Sequence, residues 1–223
     1  MSELVAAIDG PAGSGKSSVS KQVARELGWG YLDTGAAYRA LTWASLNLPG
    51  FSLERLGALD LATEFDYAIS IDPDRFWVRV GEIDVTIVIR SKQVAEAVSQ
   101  VAAIPQVRTF MLELTRSLVA ECPKPGIVVE GRDITSVVLP DAQARLLLTA
   151  SEEVRLRRRS AEVGASHMAE VAKQVSHRDA ADSQVVEFIT PAAGVTLIDS
   201  TSLTFDQTVS AVITVIETTV PKD

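Results

Sequence analysis

The stretch Val5-Ala-Ala-Ile-Asp9, followed directly by Gly10-Pro-Ala-Gly-Ser-Gly-Lys-Ser17, decides the fold of this chain of 223 residues. Its first part is an apolar run typical of a buried strand, and Lys16 begins an amphipathic segment that continues to Leu27. The glycine spacing between them matches a phosphate-binding loop, because glycines allow backbone N–H groups to turn towards phosphate oxygens. A strand, a phosphate loop and a helix are therefore expected in that order.

The chemistry of this loop predicts binding of a nucleotide, which we take to be ATP. Lys16 would reach the β- and γ-phosphates, and the Ser17 hydroxyl would ligate Mg²⁺. We assign ATP binding to a continuous run of residues: Gly10, Pro11, Ala12, Gly13, Ser14, Gly15, Lys16, Ser17 and Ser18. The same loop occurs in hydrolases, GTPases and kinases, so on its own it leaves the reaction open. The sequence contains no guanine-reading Asn-Lys-x-Asp stretch after a later strand, which disfavours a GTPase.

The rest of the chain alternates between strand-like and helix-like segments. Further apolar runs typical of buried parallel strands are Tyr31–Asp33, Ile127–Glu130, Arg145–Thr149 and Thr196–Asp199. Helical stretches are Lys16–Leu27, Ala37–Leu46, Val94–Leu118, Glu152–Ala161 and Phe205–Thr218. Pro105 should divide the third helix, because proline fits best in a first turn. The alternation predicts an α/β fold with a doubly wound, five-stranded parallel sheet.

One segment departs from this alternation. Residues Phe65–Ile89 alternate in polarity and are rich in Val, Ile, Phe, Trp and Tyr, with a turn signal at Asp72-Pro73-Asp74. They predict a small antiparallel sheet within an insert. We expect one domain over residues 1–223, with its core at about 1–35, 105–150 and 190–223, an insert at about 36–104 and a lid at about 155–180.

Composition limits the partners and the compartment. The net charge of −8 argues against a surface that neutralises nucleic-acid phosphates. The chain has one cysteine, no secretory signal at its start and no apolar stretch of the ~18 residues that a bilayer-spanning helix needs. We expect a cytoplasmic protein that binds small nucleotides, with no nucleic acid, no membrane and no evident obligate protein partner.

Arginines along the chain indicate what the second substrate is. A kinase that transfers phosphate to another anion needs several arginines that converge on the two charged groups. Arg39 follows the second strand, and Arg132 follows the third at its carboxyl end, where ligands bind in open α/β sheets. In the basic run from 155 to 159, we favour Arg158 as the residue that reaches the transferring phosphoryl group. A solvated basic face remains the alternative for that run.

Glu130 is the candidate second ligand in the Mg²⁺ site. It ends a predicted strand, and a carboxylate there could hold a water bound to the ion. An alternative role, in which the carboxylate caps the following turn, is equally open. Lys16, Arg132 and Arg158 are the candidate catalytic residues, because phosphoryl transfer is accelerated mainly by positioning and charge neutralisation.

Several motifs follow one another along the chain: the phosphate loop, Leu32-Asp-Thr-Gly-Ala-Ala-Tyr-Arg39, Ala97-Val-Ser-Gln-Val-Ala102 leading to Arg108, Val129-Glu-Gly-Arg-Asp-Ile134, and Arg178-Asp179 with Asp182. Together they resemble bacterial cytidylate kinase, and the resemblance implies that the insert at about 36–104 binds the monophosphate. These motifs extend over most of the chain. The resemblance implies transfer of the γ-phosphoryl group of ATP to CMP or dCMP.

The resemblance also implies roles for individual residues. Those implied to read cytosine are Ser99, Arg108 and Asp133. Those implied to bind the acceptor phosphate are Arg39 and Arg132, those implied to contact the sugar are Arg178 and Asp182, and Thr34 and Tyr38 are further candidate acceptor contacts. Two positions depart from the family pattern: Thr135 stands in place of a usual glycine, and Val185 stands where an arginine is frequent.

Two other interpretations stay open at this point. One is another small-molecule or nucleoside monophosphate kinase. An adenylate-type enzyme is disfavoured, because Glu130-Gly-Arg-Asp133 stands where its Asp-Gly-Phe-Pro-Arg is expected. The other is a nucleotide-binding regulator without turnover.

Overall fold

Five parallel strands form the central sheet in a computed structural model, which describes residues 4–163 and 190–219. The strands of this sheet are β1 Leu4–Asp9, β2 Gly30–Asp33, β6 Gly126–Gly131, β7 Ala144–Thr149 and β8 Thr196–Asp199. Their order across the sheet is β2-β6-β1-β7-β8, and every pair runs parallel. The predicted strands are therefore confirmed to within one residue at either end.

Helices cover both faces of this sheet. They are α1 Lys16–Leu27, α2 Thr34–Asn47, α3 Leu61–Glu64, α4 Lys92–Ala102, α5 Pro105–Ala120, α6 Glu152–Val163 and α7 Phe205–Thr219. Pro105 begins α5, as expected of a residue that has no N–H to donate. One apolar core lies between α1, α7 and the sheet, and a larger one joins α2, α5 and the insert to the opposite face.

The insert contains a separate three-stranded antiparallel sheet. Its strands are β3 Tyr67–Ile69, β4 Val78–Val80 and β5 Ile83–Asp84, in the order β3-β4-β5. The predicted turn at Asp72–Asp74 connects β3 to β4. The sequence missed β5, which is short and exposed, so its residues show no alternation of buried and exposed positions.

The crossovers place a crevice above the middle of the sheet. From β1 the chain crosses through α1 to β2 on one side, whereas from β6 it passes to β7 on the other side. The strand order thus reverses between β1 and β6, and ligands bind outside the carboxyl ends of the strands at such a point. Asp9 pairs with Gly131 there, so the phosphate loop and the segment after β6 begin side by side.

Among residues 4–163 and 190–219, no helix is both long enough and apolar enough to cross a bilayer.

Candidate active site

The phosphate loop connects β1 to α1 and is shaped by its glycines. Gly13 and Gly15 have φ angles of 75° and 88°, which side chains rarely allow. A Cβ atom at Gly10 would lie 2.2 Å from the carbonyl oxygen of Leu148, so only glycine fits against β7. Gly15 also precedes the first turn of α1, where Ser18 is exposed. The loop therefore curls around the N-terminus of the helix, as its spacing predicts.

Lys16 and Ser17 face a buried carboxylate at the end of β6. Glu130 is 2% exposed, and its Oε1 accepts a hydrogen bond from the Tyr31 hydroxyl at 2.7 Å. Burial raises the pKa of Glu130, the charge of Asp33 raises it further, and Lys16 opposes the shift. The Glu130 carboxylate thus bonds to β2 and lies close to Lys16, and its role in holding Mg²⁺ stays a prediction.

The oxygen donors at this position suit Mg²⁺. Hydroxyl and carboxylate oxygens are hard ligands, and Mg²⁺ in kinases is held by one or two protein groups together with phosphates and waters. The Ser17 hydroxyl lies near enough to Glu130 to oppose the rise in the pKa of its carboxyl. The residues fit the ion.

Arg158 lies against the far side of the phosphate loop. Its Nη1 donates to the carbonyl oxygen of Ser14 at 3.0 Å and to Ser200 Oγ at 2.9 Å, and its Nη2 donates to the Ser200 carbonyl at 2.9 Å. Arg155, which precedes it on α6, donates to the carbonyl oxygen of Ala12 at 2.9 Å. Because residues three apart share a helix face, α6 presents both guanidinium groups to the loop.

Arg132 approaches the loop from β6. Its Nη1 donates to the carbonyl oxygen of Gly10 at 2.7 Å. Arg132, Arg155 and Arg158 thus surround the loop from two different elements, α6 and the segment after β6. Kinases commonly place positively charged groups around the transferring phosphoryl group.

The next residue, Asp133, lies in a cavity beside the loop. Its Oδ2 accepts a hydrogen bond from Arg108 Nη2 at 2.8 Å, and the side chains of Arg108 and Asp133 are 28% and 14% exposed. The cavity has a volume of about 400 Å³ and is bounded by α2, α5 and the turn Ile134–Val138. Burial raises the pKa of Tyr38 to about 12, with the charge of Asp133 adding to the shift.

The residues that line this cavity are Thr34, Tyr38, Pro105, Arg108, Thr109, Met111, Leu112, Thr115, Asp133, Ile134, Val137 and Val138. Four residues predicted to contact the acceptor nucleotide therefore lie together at the carboxyl edge of the sheet: Thr34, Tyr38, Arg108 and Asp133. Thr34 is additionally anchored, since its hydroxyl donates to the carbonyl oxygen of Glu130 at 2.7 Å.

The other predicted acceptor residues lie elsewhere. Ser99 is half-buried on α4 and does not line the cavity. Arg39 is half-buried on α2, and its Nη1 donates to the carbonyl oxygen of Ile89 at 3.2 Å. Arg178, Asp182 and the predicted lid beyond residue 163 lie outside the described residues.

Asp9 is a site residue that sequence reasoning missed. It ends β1, is 3% exposed, and accepts hydrogen bonds from the backbone of Ile134 and Thr135, each at 2.9 Å, and from the Thr135 hydroxyl at 2.7 Å. Burial raises the pKa of Asp9, and these bonds oppose the shift. No residue other than glycine in the described ranges has a positive φ, so the backbone at Thr135 has a conformation that a side chain allows. The sequence feature that could have indicated Asp9 is an acidic residue directly before the phosphate loop.

A glycine-bearing phosphate loop at this edge of a parallel sheet, faced by arginines from two elements, defines a P-loop kinase. The fold itself is shared with an uncharacterized protein from Eubacterium ventriosum, with a TM-score of 0.54 at 11% identity over 96% of this chain and 99% of that chain.

Sequence comparison identifies the family. A sequence model described as cytidylate kinase matches residues 6–218. The cytidylate kinase of Streptomyces avermitilis is 41% identical over 215 residues, covering 96% of this chain and 93% of the relative. That of Cutibacterium acnes is 43% identical over 221 residues, covering 98% of both. The chain belongs to the cytidylate kinase family.

Proposed function

We propose that this enzyme transfers the γ-phosphoryl group of ATP to CMP or dCMP, giving ADP and CDP or dCDP. The observation that carries the proposal is the Arg108–Asp133 pair inside the cavity beside the phosphate loop. The relatives named above are cytidylate kinases. We expect the reaction to take place in the cytoplasm, where ATP and nucleoside monophosphates are available.

The pair has the hydrogen-bonding character that cytosine requires. Cytosine offers an N4 amino donor beside the N3 and O2 acceptors. The Asp133 carboxylate can accept from N4, and the Arg108 guanidinium can donate to the acceptors. Uracil would place a carbonyl oxygen opposite the carboxylate, and that repulsion disfavours UMP.

Donor and acceptor then meet above the crevice between β1 and β6. An oxygen of the CMP phosphate attacks the γ-phosphorus in line, and the bond to the β-phosphate oxygen breaks to release ADP. Lys16 and the loop N–H groups hold the ATP phosphates. Arg132 and Arg158 neutralise charge on the transferring group, and Arg39 binds the acceptor phosphate.

Mg²⁺ would be held by Ser17 and Glu130 at the end of β6. The ion supplies charge neutralisation on the β- and γ-phosphates when it is bound. The chain's own contribution is to hold Glu130 Oε1 through the Tyr31 hydroxyl, at 2.7 Å.

The remaining assignments extend the same proposal. Ser99 would complete recognition of the base from α4, and Arg178 with Asp182 would contact the sugar. Residues at about 36–104 would form the monophosphate-binding insert, and those at about 155–180 the lid that excludes water from the site.

Acceptor competition tests the proposal directly. ADP formation is measured with CMP, dCMP, UMP, AMP, shikimate and gluconate under identical conditions. We expect turnover with CMP and dCMP at rates well above those with the other acceptors. Equal rates with AMP and CMP, or activity with shikimate or gluconate alone, would refute the cytidine assignment. ATP consumption that does not depend on any acceptor would refute the kinase assignment.

A further inference from the structure

The carboxylate of Asp9 ties the end of β1 to the segment that follows β6. One of its oxygens accepts from the Ile134 backbone, and the other accepts from both the backbone N–H and the hydroxyl of Thr135. All three residues are buried, with exposures of 3%, 1% and 4%. The carboxylate is therefore held in a fixed orientation by bonds that water does not replace.

The segment tied in this way carries two of the proposed site residues. Gly131 is held by its pairing with Asp9 in the sheet, and Ile134 and Thr135 are held by the Asp9 side chain. Only Arg132 and Asp133 lie between these two attachments. Both ends of this short span are thus fixed to the same residue of β1.

The two residues in the span contact different parts of the site. Arg132 reaches the carbonyl oxygen of Gly10 in the phosphate loop, and Asp133 reaches Arg108 in the cavity. A shift of the span would therefore move the phosphate contact and the base contact together. Asp9 also directly precedes Gly10, so the same residue anchors both the donor loop and the acceptor segment.

We propose that the Asp9 carboxylate and the Thr135 hydroxyl form a clamp that positions Arg132 and Asp133, and that this clamp sets the selectivity of the enzyme for cytosine over uracil. This inference rests on the proposed function. Asp9 and Thr135 contact neither nucleotide in this scheme. They are positioning residues, which act through the peptide segment that they hold.

Thr135→Val is the decisive variant, because valine keeps the shape of threonine and removes only the hydroxyl donor. We expect kcat/KM for CMP to fall by about 5- to 30-fold, mainly through KM, because small displacements of a positioned group cost up to about 100-fold in rate. The ratio of kcat/KM for CMP to that for UMP should fall as well. Thr135→Ser retains the hydroxyl and should restore both values to within about threefold of wild type.

Asp9→Asn tests the other half of the clamp. An amide presents one acceptor oxygen to three donors and turns its own N–H₂ towards one of them. We expect a loss in kcat/KM for CMP of about 10- to 100-fold. In the Asp9→Asn background, Thr135→Val should add little, because both changes break the same contact. Ser136→Val, at the exposed neighbouring position, is the matched control and should stay close to wild type.

Three outcomes would overturn the clamp. They are equal losses with CMP and UMP, a Thr135→Ser variant as impaired as Thr135→Val, or full additivity in the double variant. Thermal midpoints are recorded for every variant, so that a loss that follows stability alone is recognised and counts against the clamp. Failure of the wild-type enzyme to use CMP would instead refute the proposed function, which keeps the two failures distinct.

Discussion

Replacement of Arg158 by alanine tests whether this side chain only stabilises the phosphate loop or also acts in phosphoryl transfer. Arg158 is half-buried and donates three hydrogen bonds, to the Ser14 carbonyl and to both oxygens of Ser200. These bonds predict a loss of stability. The position of the guanidinium beside the loop predicts a separate loss of rate.

The loss of stability follows from the hydrogen bonds. Charged donors contribute more than neutral ones, but partial exposure reduces the gain, so we expect a loss of about 1–3 kcal/mol in the free energy of unfolding. For a chain of this size, each kcal/mol lowers the thermal midpoint by about 2–4 °C. The rate should fall much further, because removal of one group that stabilises transition-state charge costs about 10²–10³-fold in kcat.

The assay is ADP formation at saturating ATP and CMP, well below the midpoint of each variant. Arg157→Ala is the matched control, because Arg157 is exposed on the same helix. It should change the free energy of unfolding by less than about 0.5 kcal/mol and leave kcat close to wild type. Arg158→Lys should recover part of the rate, since it retains charge without the planar fork. A lowered thermal midpoint with unchanged kcat in Arg158→Ala would show that Arg158 only stabilises the phosphate loop, and it would refute the catalytic assignment.

Three further predictions concern the phosphate loop, the buried carboxylate and the base pocket. Lys16→Ala should lower kcat by at least about 100-fold and shift the thermal midpoint by only about 2 °C, and a large loss of stability instead would make Lys16 structural. Burial raises the pKa of Glu130 in the folded protein above its ordinary value near 4.5. The free energy of unfolding of the wild type therefore falls as pH rises from that value through the folded pKa. Glutamine does not titrate, so Glu130→Gln lacks this loss. The midpoint of Glu130→Gln relative to wild type should therefore increase with pH in thermal melts, and a constant or decreasing difference would contradict this. Asp133→Asn should reduce the CMP/UMP ratio of kcat/KM by about 10- to 100-fold, and an unchanged ratio would remove Asp133 from base recognition.

The sheet and helices could be predicted from the sequence because their signals are local. The apolar run of β1, the glycine spacing and the helix-starting Pro105 each act within a few residues, and the structure agrees with them. The positions of Arg132 and Asp133 could be inferred from the end of a strand, since strand ends are where this fold binds ligands.

The contacts that the sequence did not reveal all join distant parts of the chain. Asp9 bonds to Thr135 and Arg158 bonds to Ser14, yet nothing local to either partner specifies the other. Tyr31 is a similar case, because a buried tyrosine in a strand is indistinguishable from a core residue until Glu130 is placed beside its hydroxyl. Such pairings depend on strand order, which a local pattern does not encode.

If the Arg108–Asp133 pair reads the base as proposed above, base selectivity can exceed the strength of one hydrogen bond. Without a base, each charge is satisfied by the other at 2.8 Å in a partly shielded cavity. Cytosine offers a donor to Asp133 and an acceptor to Arg108, so both charges keep partners when the base enters. Uracil offers Asp133 only an oxygen, and its binding would leave a shielded carboxylate facing another acceptor, which costs far more than a missing contact. We therefore expect discrimination against UMP to follow from the penalty on an unpaired charge, and to be lost when that charge is removed.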